Sequence, residues 1–299
     1  MAASSHATSK IKNEHDRQSS VNDSSNPVAV SGHAVPRVPQ DDLHLLEASV
    51  REAGTIALKF FGGDYKRWNK PGGSPVTEAD LAIDNFLKEA LRRARPDYGW
   101  LSEESLDDPA RLGARRVFVV DPIDGTVAFM KGRPHFTICA AVIEDGRPIA
   151  GVVFNPAADE CFTARSGGGA FLNGGPIHVG LRSEIAGSRL LGNSHAFADW
   201  PPVHVENFSS IAYRVALVAA GRFDAMVSLT SKRDWDLAAA DIVLSEAGGA
   251  LVGADNCSLS YNRASAVQGA TIAAGPGLIQ PLLAELAAKN SLKSRPVSP

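Results

Sequence analysis

The segment Asp121-Pro122-Ile123-Asp124-Gly125-Thr126 sets two carboxylates and a hydroxyl close together, directly after the apolar run Val117-Phe118-Val119-Val120. Carboxylates at the mouth of a buried strand can hold a hard cation such as magnesium, which prefers oxygen ligands. Pro122 and Gly125 let the backbone turn sharply, so that both carboxylates and the Ile123 carbonyl can face one point. An isolated Asp-Pro-x-Asp-Gly is equally well a polar turn that ends a strand. Its companions shift that balance. Ser102-Glu103-Glu104-Ser105 follows Tyr98-Gly99-Trp100-Leu101 and makes a second acidic strand end. Trp235-Asp236-Leu237-Ala238-Ala239-Ala240 puts Asp236 in the first turn of a small-residue helix. There the helix dipole also accounts for a carboxylate, at about 0.3–1 kcal/mol. Thr77-Glu78-Ala79-Asp80 reads as a capping box, with Thr77 the cap and Asp80 its partner.

The elements that must position these groups follow from periodicity. Asp41 is a plausible cap for a helix that presents Leu43, Leu46, Val50, Ala53, Ala57 and Phe60, with Gly62 and Gly63 beyond its end. A second amphipathic helix starts at Thr77, shows Ile83, Phe86, Leu87, Ala90 and Leu91 on one face, and stops before Pro96. The period then changes. Val117 to Val120 and Phe136 to Ile143 are strands, and the turn Glu144-Asp145-Gly146-Arg147 leads into Ile149 to Phe154 as an antiparallel hairpin. Downstream, Ile211 to Ala220, Leu237 to Ala247 and Leu278 to Ala288 are helical, with short strands at Asp224 to Leu229 and Ala250 to Val252. Helices alternate with sheets, so the class is mixed α and β in layers.

Composition excludes several functions. The chain has 299 residues, 44% of them hydrophobic, enough for a substantial core. Its formal charge is -3, and its 30 basic residues are interspersed with acidic ones, so no polynucleotide-binding stripe is formed. Cys139, Cys161 and Cys257 are widely spaced and read as reduced thiols of a cytoplasmic protein. The eight histidines lack the spacing of a zinc site. No run approaches the roughly 20 apolar residues of a membrane span. Residues 1–40 contain no aromatic side chain and read as a disordered tail. The expected organisation is therefore that tail, one domain over 41–290 with sub-regions of about 41–180 and 181–290, and a short tail at 291–299.

Taken in order, Ser74-Pro75-Val76-Thr77-Glu78-Ala79-Asp80, Ser102-Glu103-Glu104-Ser105, Asp121 to Thr126, Trp235 to Ala239 and Glu246-Ala247-Gly248-Gly249 resemble the inositol monophosphatase superfamily over about residues 41 to 289. The resemblance implies an α/β (α+β) fold layered as an α-β-α-β-α sandwich, inhibition by lithium and frequently a homodimer. It also implies two or three magnesium ions. One would be held by Glu103, Asp121 and the Ile123 carbonyl, a second by Asp121, Asp124 and Asp236, and a weaker third near Glu103. Glu103 and Thr126 would activate the attacking water, with Asp80 orienting Thr126; Glu104 matches a family residue of less defined role. Substrate would touch Asp124, Gly125, Thr126, Ser209, Ser210 and Asp236. The haloacid dehalogenase class is disfavoured, because its paired aspartates stand two apart and Asp121 and Asp124 stand three apart.

Resemblance fixes the chemistry more tightly than the substrate, a small phosphorylated metabolite. Inositol phosphatases carry a ring-binding glutamate where this chain has Ser228, and Arg214 with Lys232-Arg233 could neutralise a second phosphate. The loop Gly192-Asn193-Ser194 is a further contact candidate. The favoured substrate is accordingly 3'-phosphoadenosine 5'-phosphate, the reaction of a 3'(2'),5'-bisphosphate nucleotidase of the bacterial sulfur-assimilation type. Inositol-1-phosphate, histidinol phosphate and fructose-1,6-bisphosphate are the alternatives. A reading of another class is a non-catalytic protein associated with RNA or transcription machinery.

Overall fold

A computed structural model describes residues 39–71 and 73–293, all within one compact unit of the chain. The expected tails at 1–40 and 291–299 lie outside the described residues, except for the few positions that belong to the first and last helices. Helix α1 (Pro39–Phe60) begins two residues ahead of Asp41. Proline suits a first helical turn, and Asp41 and Asp42 then sit in that turn, where they complement the helix dipole. A hairpin of β1 (Arg67–Asn69) and β2 (Pro75–Thr77) leads into α2 (Glu78–Ala94), whose N-cap is Thr77 in the expected reciprocal capping box with Asp80.

A seven-stranded sheet follows in chain order: β3 (Gly99–Ser102), β4 (Arg116–Asp124), β5 (Thr137–Glu144), β6 (Arg147–Asn155), β7 (Glu160–Arg165), β8 (Ala170–Leu172) and β9 (Gly175–Pro176). The short helix α3 (Thr126–Met130) interrupts it after β4. β3 and β4 are parallel and the other neighbours antiparallel. The β5–β6 hairpin turns at Asp145 and Gly146, both at positive φ, as a two-residue turn matched to strand twist requires. A five-stranded sheet is then built from β10 (Arg189–Leu191), β11 (His204–Glu206), β12 (Ala225–Ser228), β14 (Ala250–Gly253) and β16 (Thr271–Ala274), in the order β11-β10-β12-β16-β14. Between these strands come α4 (Ile211–Ala219), α5 (Asp234–Glu246) and the small ladder of β13 (Lys232–Arg233) with β15 (Val267–Gln268); α6 (Pro276–Lys293) ends the chain.

Alternation along the strands assigns the layers. Phe118 and Val120 of β4 pack with Leu46 and Val50 of α1 and Ile83 and Leu87 of α2. Val117 and Val119 point the other way, into a cluster with α4 and α5 that also takes in Met226 and Ala273 of the second sheet. The opposite face of that sheet, with Ala225, Val227 and Ile272, packs on Leu278 and Leu282 of α6. Three buried clusters thus separate five layers, α-β-α-β-α. The central helices touch both sheets, so the sub-regions proposed on either side of residue 180 share one core.

Candidate active site

The site begins where β4 stops being regular. Asp121 faces Cys139 of β5 and Asp124 faces Thr137, so three steps along β4 match two along β5. Residues three apart on an unbroken strand point to opposite faces; this bulge cancels the difference and turns both carboxylates inward. Asp124 Oδ2 accepts hydrogen bonds from the Ser210 hydroxyl and the Ala212 N–H, both at 2.7 Å, on the first turn of α4. Asp121 Oδ1 accepts from the Ile123 N–H at 3.0 Å. Gly125 follows at φ 98°, and a Cβ there would stand 3.0 Å from the His135 carbonyl and 3.1 Å from the Ser210 nitrogen. Both its backbone angle and its closeness to α4 call for glycine.

Three other elements converge on this point. Because β3 runs parallel to β4, Glu103 leaves β3 beside Asp121, with its N–H bonded to the Val120 carbonyl. Its loop is pinned from α2: Asp84 accepts from the Ser102 hydroxyl at 2.5 Å and from the Ser105 hydroxyl at 2.7 Å, and Trp100 Nε1 donates to Ser105 Oγ. The Lys70 ammonium, in the turn of the β1–β2 hairpin, reaches Glu103 at 2.9 Å and Glu104 at 2.6 Å. Asp80, one helical turn before Asp84, accepts from the Thr77 N–H at 2.8 Å and its hydroxyl at 2.5 Å. The Thr126 hydroxyl lies 3.1 Å from the Ile123 carbonyl oxygen and 3.4 Å from the second Asp80 oxygen. Asp236, in the first turn of α5, accepts from the Arg233 N–H at 2.8 Å.

Burial dominates the electrostatics, and like charges add to it at Asp121 and Asp236. Burial lifts Asp121 well above the usual carboxylate range, and the charges of Glu103, Asp124, Asp236 and Asp80 lift it further. Burial pushes Asp124 up to about 6 against the pull of its bonds from Ser210 and α4. Asp236 rises to about 7 through burial and then through Asp124. Asp80 reaches about 6 and Glu104 about 7, again mainly by burial. Lys70, Arg214 and Lys232 offset this only in part.

Among the described residues, no three His, Cys, Asp or Glu side chains converge closely enough to form a ligand set as they stand. Glu103, Asp124 and Asp236 are each turned to a protein donor. The available donors are nonetheless all oxygens with excess negative charge, which fits a hard divalent cation such as Mg2+. The neighbouring Cys139 thiol is held protonated by burial and by Asp124, and offers no competing soft ligand.

The expected substrate contacts divide. Gly125 and Thr126 follow Asp124 directly, Asp236 is close enough to Asp124 for the Asp124 charge to raise it, and Ser209 is exposed at the start of α4. Ser210 does not face a substrate: it is fully buried, caps α4 by accepting from the Tyr213 N–H, and bonds Asp124 and Thr137. A helix N-cap must turn its oxygen back onto its own first turn, so Ser210 orients Asp124 instead. Arg214 is likewise turned in beside Asp124, its guanidinium on the Ser209 and Ser210 carbonyls. The Lys232 ammonium donates to Thr230, and the Arg233 guanidinium lies over the Trp235 ring at 5.9 Å. Gly192 is a packing position, with the Phe197 ring and the Val227 carbonyl where a Cβ would be. Glu246 accepts from the Gly167 and Gly169 N–H groups and so tethers the β7–β8 turn. Sequence reasoning missed Lys70 and Asp84; the available signals were a lysine opening the Pro71-Gly72-Gly73 turn and an acid one helical turn after Asp80.

Acidic strand ends thus meet helix N-termini inside this five-layered fold. The sequence profile of the inositol monophosphatase family matches residues 40–292, and the chain belongs to that family. It is 36% identical over 228 residues to an inositol-1-monophosphatase of Rhizobium meliloti, covering 69% of this chain and 83% of the relative. It is 31% identical over 220 residues to a histidinol-phosphatase of Chlorobaculum parvum, covering 70% and 84%. Among solved structures, the IMPase of Thermotoga maritima superposes with a TM-score of 0.72 at 27% identity, over 85% of this chain and 99% of that one. No helix of the described residues is long and apolar enough to cross a membrane.

Proposed function

We propose that the chain hydrolyses the phosphate monoester of a small metabolite with Mg2+ held by Glu103, Asp121, the Ile123 carbonyl, Asp124 and Asp236. The observation that carries this reading is the gathering of Glu103, Asp121, Asp124 and Asp236 where β3, β4 and α5 meet, with the β4 bulge turning Asp121 and Asp124 to one side and burial raising Asp121, Asp124 and Asp236. Bound there, two or three Mg2+ ions supply positive charge to phosphoryl oxygens and make water more acidic. The chain's own part is placement and proton handling. Thr126 has one hydroxyl proton and two acceptors, Ile123 O and Asp80. Donating it to Asp80 leaves the Thr126 lone pairs to accept from the attacking water, whose proton passes to Glu103. Asp80 is itself fixed by Thr77, so Thr126 is oriented from the start of α2. The water oxygen would bond to phosphorus as the ester P–O bond breaks, and the leaving oxygen would take a proton from solvent while Glu103 returns its own to solvent.

For substrate, the reading favours 3'-phosphoadenosine 5'-phosphate. Ser228 supports it: at the end of β12 this side chain is almost fully buried, and its hydroxyl donates to the Thr230 carbonyl, so it offers no carboxylate to sugar hydroxyls. Inositol-1-phosphate and histidinol phosphate are second readings on the names of the relatives. Cys139, Cys161 and Cys257 are all free thiols, in keeping with action in a reducing cytoplasm. Phosphate release from 3'-phosphoadenosine 5'-phosphate, inositol-1-phosphate, histidinol phosphate and fructose-1,6-bisphosphate, with and without Mg2+ and with lithium added, tests all of this. Mg2+-dependent, lithium-sensitive turnover with the highest kcat/KM on the first is expected. No turnover on any ester would sink the enzyme reading.

A further inference from the structure

The loop between β12 and α5 carries a cation that metal binding and proton transfer do not use. β12 ends at Ser228, where the resemblance to inositol phosphatases would put a ring-binding carboxylate, and α5 brings in Asp236 in its first turn. Hydrogen bonds run through the loop from one end to the other. The Ser228 hydroxyl donates to the Thr230 carbonyl at 3.3 Å, and the Lys232 ammonium donates to the Thr230 hydroxyl at 2.8 Å. The next residue closes onto the acidic site, its N–H bonding Asp236 at 2.8 Å. Lys232 thus stands between the end of β12 and a proposed Mg2+ ligand, and its charge works against the elevation of the Asp236 carboxyl.

Three cations could meet a second phosphate, and two of them are engaged elsewhere. The Arg214 guanidinium is folded back on the Ser209 and Ser210 carbonyls. Neighbours on β13 point to opposite faces, and the Arg233 guanidinium lies over the Trp235 ring at 5.9 Å. The Lys232 ammonium bonds neutral acceptors only, the Thr230 hydroxyl and the Ser231 carbonyl at 3.4 Å, and forms no ion pair with another described residue. Once Asp236 holds Mg2+, its carboxylate charge is no longer available to balance Lys232. The ammonium is then left without a counter-charge, on a four-carbon stem flexible enough to turn from Thr230 to an incoming anion. Ser228 supplies no such anion; a phosphate on the substrate would.

We propose that Lys232 pairs with the second phosphate of a nucleoside bisphosphate, the one carried by the leaving group, and so sets a preference for bisphosphates over monophosphates. That role rests on the phosphatase reading above and assigns its substrate preference to one side chain.

The test compares Lys232→Met, Lys232→Arg and Arg233→Gln with the wild type on adenosine 3',5'-bisphosphate and adenosine 3'-monophosphate, each with Mg2+. The two esters share the bond that breaks and differ in the second phosphate alone. Lys232→Met should lower the ratio of their kcat/KM values about tenfold, through the KM of the bisphosphate, near the lower end for loss of a hydrogen bond between charged groups. Lys232→Arg should recover most of that ratio, and Arg233→Gln should leave it as it is. A ratio unchanged in Lys232→Met while both esters turn over overturns the role of Lys232 and keeps the phosphatase reading. A fall in the ratio that is as large in Arg233→Gln overturns it too, since the effect would then belong to the charge of the surface and not to this side chain. Should neither ester turn over, the phosphatase reading fails, and calorimetric titration of the wild type and of Lys232→Met with adenosine 3',5'-bisphosphate in Mg2+ decides the contact. Binding about tenfold weaker in the variant supports it, and equal affinity or no binding by either overturns it.

Discussion

Two buried aspartates, Asp42 in α1 and Asp121 in β4, show opposite ways of keeping a carboxylate inside a protein. Asp42 is fully buried and accepts from Arg95 at 3.0 Å, Arg116 at 2.9 Å and the Tyr98 hydroxyl at 2.9 Å. Arg116 bonds Glu144 as well, whose carboxyl it holds below the usual range against the cost of burial. Every charge in that network has an answer within the chain. Asp121 is equally buried, yet the charges that act on it most are those of Glu103, Asp124, Asp236 and Asp80. Burial alone does not separate structure from function; the missing internal counter-charge does.

The sharpest break in this comparison is expected from Asp124→Asn. It keeps the size and most of the hydrogen bonding at α4 but removes one of the charges proposed to hold Mg2+, so phosphate release should fall about a thousandfold. Circular dichroism and the melting temperature without Mg2+ should show a fold that is intact. Turnover within tenfold of the wild type would remove Asp124 from the site.

Next in size is a contrast in stability. Asp42→Asn leaves the half-buried Arg95 without its carboxylate and Arg116 with Glu144 alone, and should destabilise the protein by about 3 kcal/mol, the lower end for breaking a buried pair. Asp121→Asn takes one charge out of a repelling group and should leave the melting temperature of the metal-free protein unchanged or higher. Urea unfolding of both variants without Mg2+ measures the difference. Equal destabilisation would erase the distinction between the two aspartates.

A smaller effect is expected at Ser210, whose hydroxyl fixes Asp124 together with backbone N–H groups of the first turn of α4. Ser210→Ala should weaken Mg2+ binding about tenfold, the lower end for loss of a group that orients a ligand. Calorimetric titration with Mg2+ reads this without turnover. Ser209→Ala, exposed one residue earlier, should leave the affinity for Mg2+ as it was.

Ser210 also shows where legibility ended. Local patterns carried the fold: the apolar run of Val117 to Val120 became the middle of β4, the Thr77–Asp80 box formed, and the turn at Asp145 and Gly146 closed its hairpin. Those signals depend on neighbours along the chain. The positions of the acidic residues at element ends were legible for the same reason. What they bond was not. Lys70 meets Glu103 across 33 positions and Ser210 meets Asp124 across 86, and no periodicity encodes such a pairing. The bulge between Asp121 and Asp124 is similarly invisible, because it belongs to the register with β5 and not to β4 alone. Ser210 and Arg214 looked available to a substrate while their orientation was unknown; the bond to Asp124 turns Ser210 inward, and the Arg214 guanidinium folds back on the Ser210 carbonyl.

The smallest effect expected is also the one with opposite sign in the two regions. In the metal-free protein Asp80 and Asp124 titrate near 6, and Asp236 and Glu104 near 7, all above their unfolded values of about 4. Between those limits the folded state binds more protons than the unfolded one, so this region's contribution is greatest below pH 4 and is lost as pH rises through 6 to 7. Glu144, lowered by Arg116, contributes in the other direction: its stabilisation is present above about pH 4.5 and is lost as pH falls. Without Mg2+ the melting temperature should therefore fall between pH 5 and 8, where Glu144 is already ionised while the carboxylate cluster and the buried Asp241, raised to about 6, lose their protons. With saturating Mg2+ most of that fall should vanish, since a cation that binds the ionised cluster favours the folded state most where protons have left. Thermal scans over this range with and without the ion measure both slopes. A metal-free melting temperature that rises from pH 5 to 8 would mean that the cluster is neutralised from within the protein, as Asp42 is.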